Sequence, residues 1–149
     1  MGRIVRLSSA VPLTEIVDRI GLGLGNPKGF PIAVPQGKAA SEMMIKSIGI
    51  CAGSGGHLFS EMEKDGEDVD LLFTGELSHH EALAAIEQGK CVITLFHSNT
   101  ERGFLHSVLQ PQLQEEIKDQ IREQDDTDEH FEVHVSEVDR DPYGIMVLK

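Results

Sequence analysis

The stretch that decides the fold is VDLLFTGELSHHEALAAIEQGKCVITLFHSNTERGFLHSVL, residues 69–109. Two largely apolar runs, at 69–73 and 91–96, alternate with two serine-led segments of helical spacing, the first of which ends at Gly89. Continuous apolar strands that alternate with helices are typical of a parallel sheet covered on both faces. The sequence therefore predicts an α/β fold with a mostly parallel central sheet flanked by helices.

The rest of the chain extends this pattern on both sides. Alternating or short apolar runs predict strands, and glycine or proline marks the ends of helices. The further predicted elements are strands at 3–9, 31–37, 45–52 and 131–139 and helices at 12–21, at 57–64 and from 98 onwards. Pro111 is expected to kink or break the last helix. The length of the chain predicts a single domain, residues 1–149.

The charge balance limits the classes of partner. The chain has 149 residues and a formal net charge of −12. Phosphate recognition needs clustered Lys and Arg, so direct nucleic-acid binding is not expected, and neither is binding to an anionic membrane surface. Many of the carboxylates fall in residues 115–132, a pattern typical of a solvated helix face that runs into an acidic loop. Apolar runs are shorter than the roughly 20 residues of a membrane span.

The two cysteines favour a reducing compartment. Cys51 and Cys91 lie in separate apolar runs and are not spaced as a C-x-x-C pair. They are predicted to be buried free thiols rather than a disulfide or a zinc site. The expected location is the cytoplasm, with the nucleus as an alternative.

Histidines and carboxylates gather where the predicted central strands end. In such sheets, ligands bind beyond the carboxyl ends of the strands. The residues concerned are Glu76, His79, His80, Glu81, His97 and Glu101. Imidazole and carboxylate suit Zn, Mn and Fe(II), and the H-x-x-x-E spacing of His97 and Glu101 allows both to reach one ion. In the simpler interpretation, SHHE and SNTE are capping boxes, and their glutamates only cap helices. The residues alone leave both open.

A glycine-rich turn, CAGSGGH, follows another predicted strand. Backbone amides at a helix N-terminus can bind an anion or phosphate, which makes Gly53, Ser54, Gly55 and Gly56 a candidate anion site. The turn lacks the G-x-x-x-x-G-K-[ST] pattern of nucleotide-binding loops. A tight strand-to-helix turn that needs glycine for steric reasons is the competing interpretation.

Four segments in this order, CAGSGG, LLFTGELSHHEAL, FHSNTERGFL and VSEVDRDP, resemble the Nif-three-like family (Ngg-one-interacting factor three-like proteins), most closely its eukaryotic members. The resemblance extends over almost the whole chain but covers only the carboxyl-terminal half of the family's usual length. It implies an α/β fold that corresponds to one of two related halves. Such proteins assemble into toroidal hexamers that hold a two-metal centre between the halves.

The resemblance also implies roles for individual residues. The family's H-x-x-x-E metal-binding motif stands here as His97 and Glu101. His80 and Glu76 match positions near the centre and are candidate catalytic groups. The remaining ligands, a His-His pair and an aspartate, belong to the amino-terminal half, and nothing in this sequence matches that half. A divalent metal (Zn, Mn or Fe) with an incomplete ligand set in this chain is therefore implied.

Two functions are consistent with this resemblance. The first is a fragment of a metal-dependent hydrolase of the GTP cyclohydrolase type 2-like kind, acting on nucleotides or phosphoesters, with the fragment itself inactive. The alternative is a non-catalytic protein-interaction module linked to transcriptional regulation. A lone half is also expected to expose apolar surface and to form a homo-oligomer.

Overall fold

The computed structural model describes residues 2–123 and 131–147. Its strands are β1 (Arg3–Pro12), β2 (Ile32–Ala33), β3 (Met44–Ser54), β4 (Leu71–Glu76) and β5 (Cys91–Thr94). Its helices are α1 (Leu13–Gly23), α2 (Gly56–Lys64), α3 (His79–Glu87), α4 (Asn99–Phe104) and α5 (Gln110–Glu123). The described residues divide into two compact units, one from residues up to 100 with those from 141 onwards, the other from residues 101–140. The single domain expected for residues 1–149 stays a prediction.

The first unit is built on a five-stranded sheet in the order β1-β3-β4-β5-β2. The three central strands, β3, β4 and β5, are parallel, whereas β1 and β2 pair antiparallel at the two edges. The α/β class with a sheet flanked by helices is thereby confirmed, and its parallel part is the centre of the sheet. Each parallel connection carries a helix, α2 after β3 and α3 after β4, so the carboxyl ends of all three central strands meet at one edge.

The core lies on both faces of this sheet because successive residues of a strand point to opposite sides. One buried cluster joins α1 to the sheet and contains Leu13, Ile16, Ile45, Leu71, Cys91, Ile93 and Leu95. The other joins α2 and α3 to the opposite face and contains Phe59, Val69, Leu72, Ala85 and Val92. The continuous apolar runs of β4 and β5 are therefore explained by burial on both faces.

The cysteines are free thiols, as predicted. Cys91 is buried and Cys51 is half-buried. Burial raises the pKa of both thiols, and in Cys91 burial together with the Asp70 charge raises the pKa to about 11. Neither thiol is therefore ionised near neutral pH.

The second unit is helical and irregular. After α4 the chain makes a π-helical turn at Leu105–Leu109 and continues as α5, with Pro111 in its first turn. The predicted irregularity near Pro111 thus takes the form of a π turn, which fits a residue that lacks a backbone N–H. In the described residues, no helix has the length and apolar character needed to cross a membrane.

The predicted last strand, at 131–139, is wrong. Residues 131–140 have no regular secondary structure, although burial alternates from Phe131 to Val135 as the pattern indicated. A strand requires a hydrogen-bonded partner strand, and here the Val133 carbonyl accepts instead from Gln110 Nε2, at 2.6 Å. In the same unit, the Arg102 guanidinium lies 3.0 Å from Asp139 Oδ2. These side-chain contacts take the place of a strand ladder.

Candidate metal-binding edge of the sheet

The predicted histidine and one of the predicted carboxylates meet at the carboxyl edge of the parallel strands. Glu76 is the last residue of β4, and His97 follows β5, which is paired with β4 in parallel. His97 Nδ1 lies 2.7 Å from Glu76 Oε1, and the two side chains are 45% and 52% exposed. Both side chains are therefore accessible from outside the core while being held against each other.

A set of backbone contacts fixes the position of His97. Thr100 Oγ1 accepts from the Gly53 amide at 2.8 Å and donates to the His97 carbonyl at 2.7 Å. The Thr74 hydroxyl donates to the Gly53 carbonyl at 3.0 Å. The ends of β3 and β4 and the turn after β5 are thus joined by two threonine side chains, which makes the edge a rigid support.

Gly75 allows these three segments to approach one another. A Cβ atom at this position would lie 2.7 Å from the Gly53 carbonyl oxygen, 2.8 Å from Thr100 Oγ1 and 2.9 Å from His97 Cα. Contacts this short between non-bonded atoms are not tolerated in a close-packed interior. Glycine at 75 is therefore a steric requirement of the edge.

Phe96 turns the chain away from β5 directly before His97. Its φ of 67° lies in the left-handed region, which is uncommon for a residue with a bulky side chain. Such conformations persist only where the surroundings hold them, and they are concentrated at functional sites. The strained residue therefore marks the same turn as the histidine.

Asp141 anchors this turn and was not among the predicted site residues. Its side chain is buried, and its Oδ2 accepts from the Ser98 amide at 3.0 Å and the Ser98 hydroxyl at 3.1 Å. Oδ1 accepts from the Tyr143 amide at 3.1 Å. Asp141 belongs to the segment VSEVDRDP, but no spacing rule connects that segment with a serine 43 positions earlier. Only the fold brings the two together.

The capping box predicted at Ser78 and Glu81 is confirmed. Ser78 Oγ accepts from the Glu81 amide at 3.3 Å, and Glu81 Oε2 accepts from the Ser78 amide at 2.7 Å. The hydrogen bonds with Ser78 lower the pKa of Glu81. The second box, at Ser98 and Glu101, stays a prediction, and Glu101 is an exposed residue in the first turn of α4.

His80 lies beside this box rather than being buried. It is exposed in the first turn of α3, and its ring meets that of His79 edge-on at a centroid distance of 5.4 Å. Together with Gly56 and Glu81 it lines a cleft of about 240 Å³ between α2 and α3. The imidazole of His80 is therefore accessible from solvent beside this cleft.

The glycine-rich turn has a clear steric explanation. A Cβ atom at Gly55 would lie 2.7 Å from both the Phe59 ring and Thr74 Oγ1. At Gly56 it would lie 1.8 Å from Glu81 Oε1, so a carboxylate already packs against this turn. The negative charge of Glu81 disfavours a second anion beside Gly56. The anion site at Gly53, Ser54, Gly55 and Gly56 stays a prediction with a specific obstacle.

The described residues do not contain a complete metal site. Imidazole and carboxylate at one edge are the donor types that Zn, Mn and Fe(II) accept. However, residues 2–123 and 131–147 contain no group of three or more His, Cys, Asp and Glu side chains placed to hold one ion. The donor types fit a divalent metal, and an ion at this edge would need further ligands from outside these residues.

The fold and the site define an α/β protein with a histidine–carboxylate pair at the carboxyl edge of its parallel strands. The chain belongs to the Duf34/NIF3 family (NGG1p interacting factor 3), whose model matches residues 1–142. NGG1-interacting factor 3 of Saccharomyces cerevisiae is 40% identical over 144 residues, which are 97% of this chain and 44% of that protein. NIF3-like protein 1 of Rattus norvegicus is 37% identical over 146 residues, which are 98% of this chain and 34% of that protein.

The chain therefore spans less than half the length of these relatives. Among solved structures, a Bacillus cereus protein related to NIF3 superposes with a TM-score of 0.68 at 19% identity, over 98% of this chain and 36% of that one. Staphylococcus aureus protein SA1388 gives 0.63 at 22% identity, over 98% and 42%. At these identities the likeness shows a shared fold alone. The resemblance to the eukaryotic members of the family is confirmed by the yeast and rat relatives.

Proposed function

We propose that this chain is part of a metal-dependent hydrolase acting on nucleotide or phosphoester substrates (GTP cyclohydrolase type 2-like) and is inactive by itself. His97 and Glu101 are the proposed ligands of a divalent Zn, Mn or Fe ion. The observation that supports this most is the 2.7 Å contact between His97 Nδ1 and Glu76 Oε1. The proposal for Glu101 rests on its position four residues after His97 in the sequence.

Glu76 has the role that carboxylates play beside metal-ligating histidines. A ligating histidine commonly donates its second ring N–H to a carboxylate, which fixes the tautomer and raises the basicity of the other nitrogen. With Nδ1 donating to Glu76, the lone pair of His97 is on Nε2. A bound divalent ion supplies Lewis acidity and activates water for hydrolysis. In this proposal His97 and Glu101 would hold the ion. Thr100 and Gly75 keep His97 in place.

His80 is the proposed proton-transfer group. It is exposed at a cleft that it shares with Glu81, and histidine is the side chain that most often serves as a general acid or base. Gly53, Ser54, Gly55 and Gly56 remain the proposed contact for a phosphate or other anion, for which Glu81 must be displaced or neutralised. Glu76 acts indirectly, by orienting the imidazole of His97 through their hydrogen bond.

The missing ligands are proposed to come from another polypeptide segment. The chain corresponds to 44% of the yeast relative and 34% of the rat relative, so those proteins have ample further chain to provide them. Exposed apolar side chains such as Leu22, Met44 and Phe104, which are 67%, 52% and 52% exposed, favour association with such a segment or with further copies. We place this activity in the cytoplasm.

The test is to isolate the tagged chain with whatever associates with it and to measure native mass, metal content and nucleotide hydrolysis on one sample. We expect stoichiometric Zn, Mn or Fe and nucleotide turnover in the associated species, both lost in His97→Ala, and no turnover by the chain alone. The matched control is His57→Ala, which removes an exposed histidine of α2. Metal and turnover that survive His97→Ala would exclude the proposed site.

A second candidate is a non-catalytic interaction module linked to transcriptional regulation, in the cytoplasm or the nucleus. It is supported by the name of the yeast relative, NGG1-interacting factor 3, and by a net charge of −12, which favours a basic protein partner over nucleic acid. Partner capture that is unchanged by His97→Ala and Glu101→Ala, without any turnover, would favour the module over the enzyme.

A further inference from the structure

An aromatic-lined pocket adjoins the turn that carries His97. Its volume is about 380 Å³, within the range of small-molecule sites. The protein has six Phe, one Tyr and no Trp, and yet Phe30, Phe96 and Tyr143 all line this one pocket. In a chain so poor in aromatic residues, this concentration distinguishes the pocket from the other clefts of the first unit.

The aromatic side chains that line the pocket are held in place, and the Tyr143 ring remains largely exposed to solvent. The rings of Phe96 and Tyr143 have centroids 6.5 Å apart and are tilted by 34°. Phe96 is fixed by its left-handed backbone, and the Tyr143 amide is bound by buried Asp141. Tyr143 is nevertheless 74% exposed, so most of its ring surface is available to a ligand.

The polar groups that line the pocket favour a negatively charged ligand. Lys28 is the cation among the lining residues, and no aspartate or glutamate lines the pocket. Lys28 forms no ion pair within the described ranges. Asn99 adds a polar edge, and its Nδ2 donates to the Leu95 carbonyl at 2.9 Å. The lining residues thus include a cation and no carboxylate, in a chain with 25 Asp and Glu and 13 Lys and Arg.

We propose that this pocket binds a planar aromatic ring that carries an anionic group, with the ring against Phe96 and Tyr143 and the charge beside Lys28. Aromatic faces and edges prefer other flat rings to saturated groups of similar size. In treating the pocket as the substrate subsite beside His97, the inference rests on the proposed function. Binding of the ring itself requires no metal and no further polypeptide, so it can be tested alone.

Tyr143 provides the readout because it is the single tyrosine of the chain. The metal-free chain, labelled with ¹³C in the tyrosine ring, is titrated with 2-naphthoate and followed by NMR. The saturated decahydro-2-naphthoate removes the flat ring, and 2-naphthalenemethanol removes the charge. The inference expects a saturable shift of the Tyr143 signal with 2-naphthoate and binding at least threefold weaker for each analogue.

Two variants of the pocket and one control variant complete the test. Lys28→Gln is expected to weaken the binding of 2-naphthoate about threefold. The control Lys38→Gln, which removes an exposed lysine outside the pocket, is expected to leave the affinity unchanged. Tyr143→Ala is expected to weaken the binding of 2-naphthoate about fivefold, as measured by calorimetry. The inference is overturned if the Tyr143 signal does not saturate, if the saturated acid binds as tightly, or if Lys28→Gln binds like the wild type. Binding of 2-naphthoate without any nucleotide turnover in the associated protein would support the pocket as a ligand site and count against the proposed hydrolase.

Discussion

His97 and Glu76 are joined by a 2.7 Å contact between Nδ1 and Oε1, although 21 residues separate them in the sequence. The contact exists because β4 and β5 are parallel neighbours whose carboxyl ends meet at one edge. With Nδ1 as the donor to the carboxylate, the lone pair of the neutral imidazole is on Nε2, which is the nitrogen that we propose binds a metal ion.

Gly75→Ala tests the steric support. The added methyl group would meet backbone atoms of Gly53 and His97 at under 3 Å, so we expect the free energy of unfolding to fall by about 1–3 kcal/mol. Gly21→Ala is the matched control, because nothing lies within 4 Å of its Cβ position in α1 and a stabilisation of about 0.5 kcal/mol is expected. Urea unfolding measures both. Equal effects of the two substitutions would contradict the close approach at Gly75.

Asp141 and Ser98 are expected to be energetically coupled. Removing the carboxylate in Asp141→Ala leaves the Ser98 and Tyr143 amides without this acceptor and should cost about 2 kcal/mol, whereas Ser98→Ala should cost about 1 kcal/mol. The double variant should cost less than the sum of the two by roughly 0.5–1 kcal/mol. A double-mutant cycle from urea unfolding gives this number, and strict additivity would show that the contact does not contribute.

The cap at Glu81 predicts a pH dependence. Because hydrogen bonds with Ser78 lower the pKa of Glu81 in the folded state, its ionised form stabilises the fold above the unfolded pKa, near 4.3. That contribution is lost as the pH falls through the folded pKa. Glu81→Ala should therefore cost about 0.5–1 kcal/mol at pH 7 and less at pH 3. Glu87→Ala, on the same helix, is the control. A cost for Glu81→Ala that is equal at both pH values would rule out this contribution.

Glu76→Gln tests the orienting role of the carboxylate. The amide cannot hold the imidazole in one tautomer as a carboxylate does, so we expect the affinity of His97 for Zn²⁺ to fall about tenfold. Glu61→Gln is the control, because Glu61 Oε1 lies 3.2 Å from Nε2 of a different histidine, His57, on α2. Zinc titration followed by histidine NMR signals separates the two. An unchanged zinc affinity at His97 would show that Glu76 does not orient this histidine.

Much of the fold was accessible from the sequence because its signals are local. The apolar runs of β4 and β5, the glycine after α3 and the Ser78–Glu81 box each act within a few residues. The edge strand β2, a two-residue strand beside proline, was also found. These features depend on burial and backbone chemistry that a short window of sequence contains.

The remaining features are set by contacts between distant segments. Asp141 holds Ser98 across 43 positions, and no periodicity announces such a pair. The strand predicted at 131–139 failed for the opposite reason, because its alternation is real but backbone pairing depends on a partner strand. Likewise, the positive φ of Phe96 has no signature in its residue type. Tertiary context decided all three.

The most direct test of the account is to follow the ring nitrogens of ¹⁵N-labelled histidine in this chain during a Zn²⁺ titration. We expect His97 to respond at the lowest zinc concentration, through Nε2 while Nδ1 remains protonated toward Glu76, and Glu101→Ala to weaken this response several-fold. A His97 signal that responds no earlier than those of the exposed His57 and His134, or that responds through Nδ1, would contradict the assignment of His97 as a metal ligand oriented by Glu76.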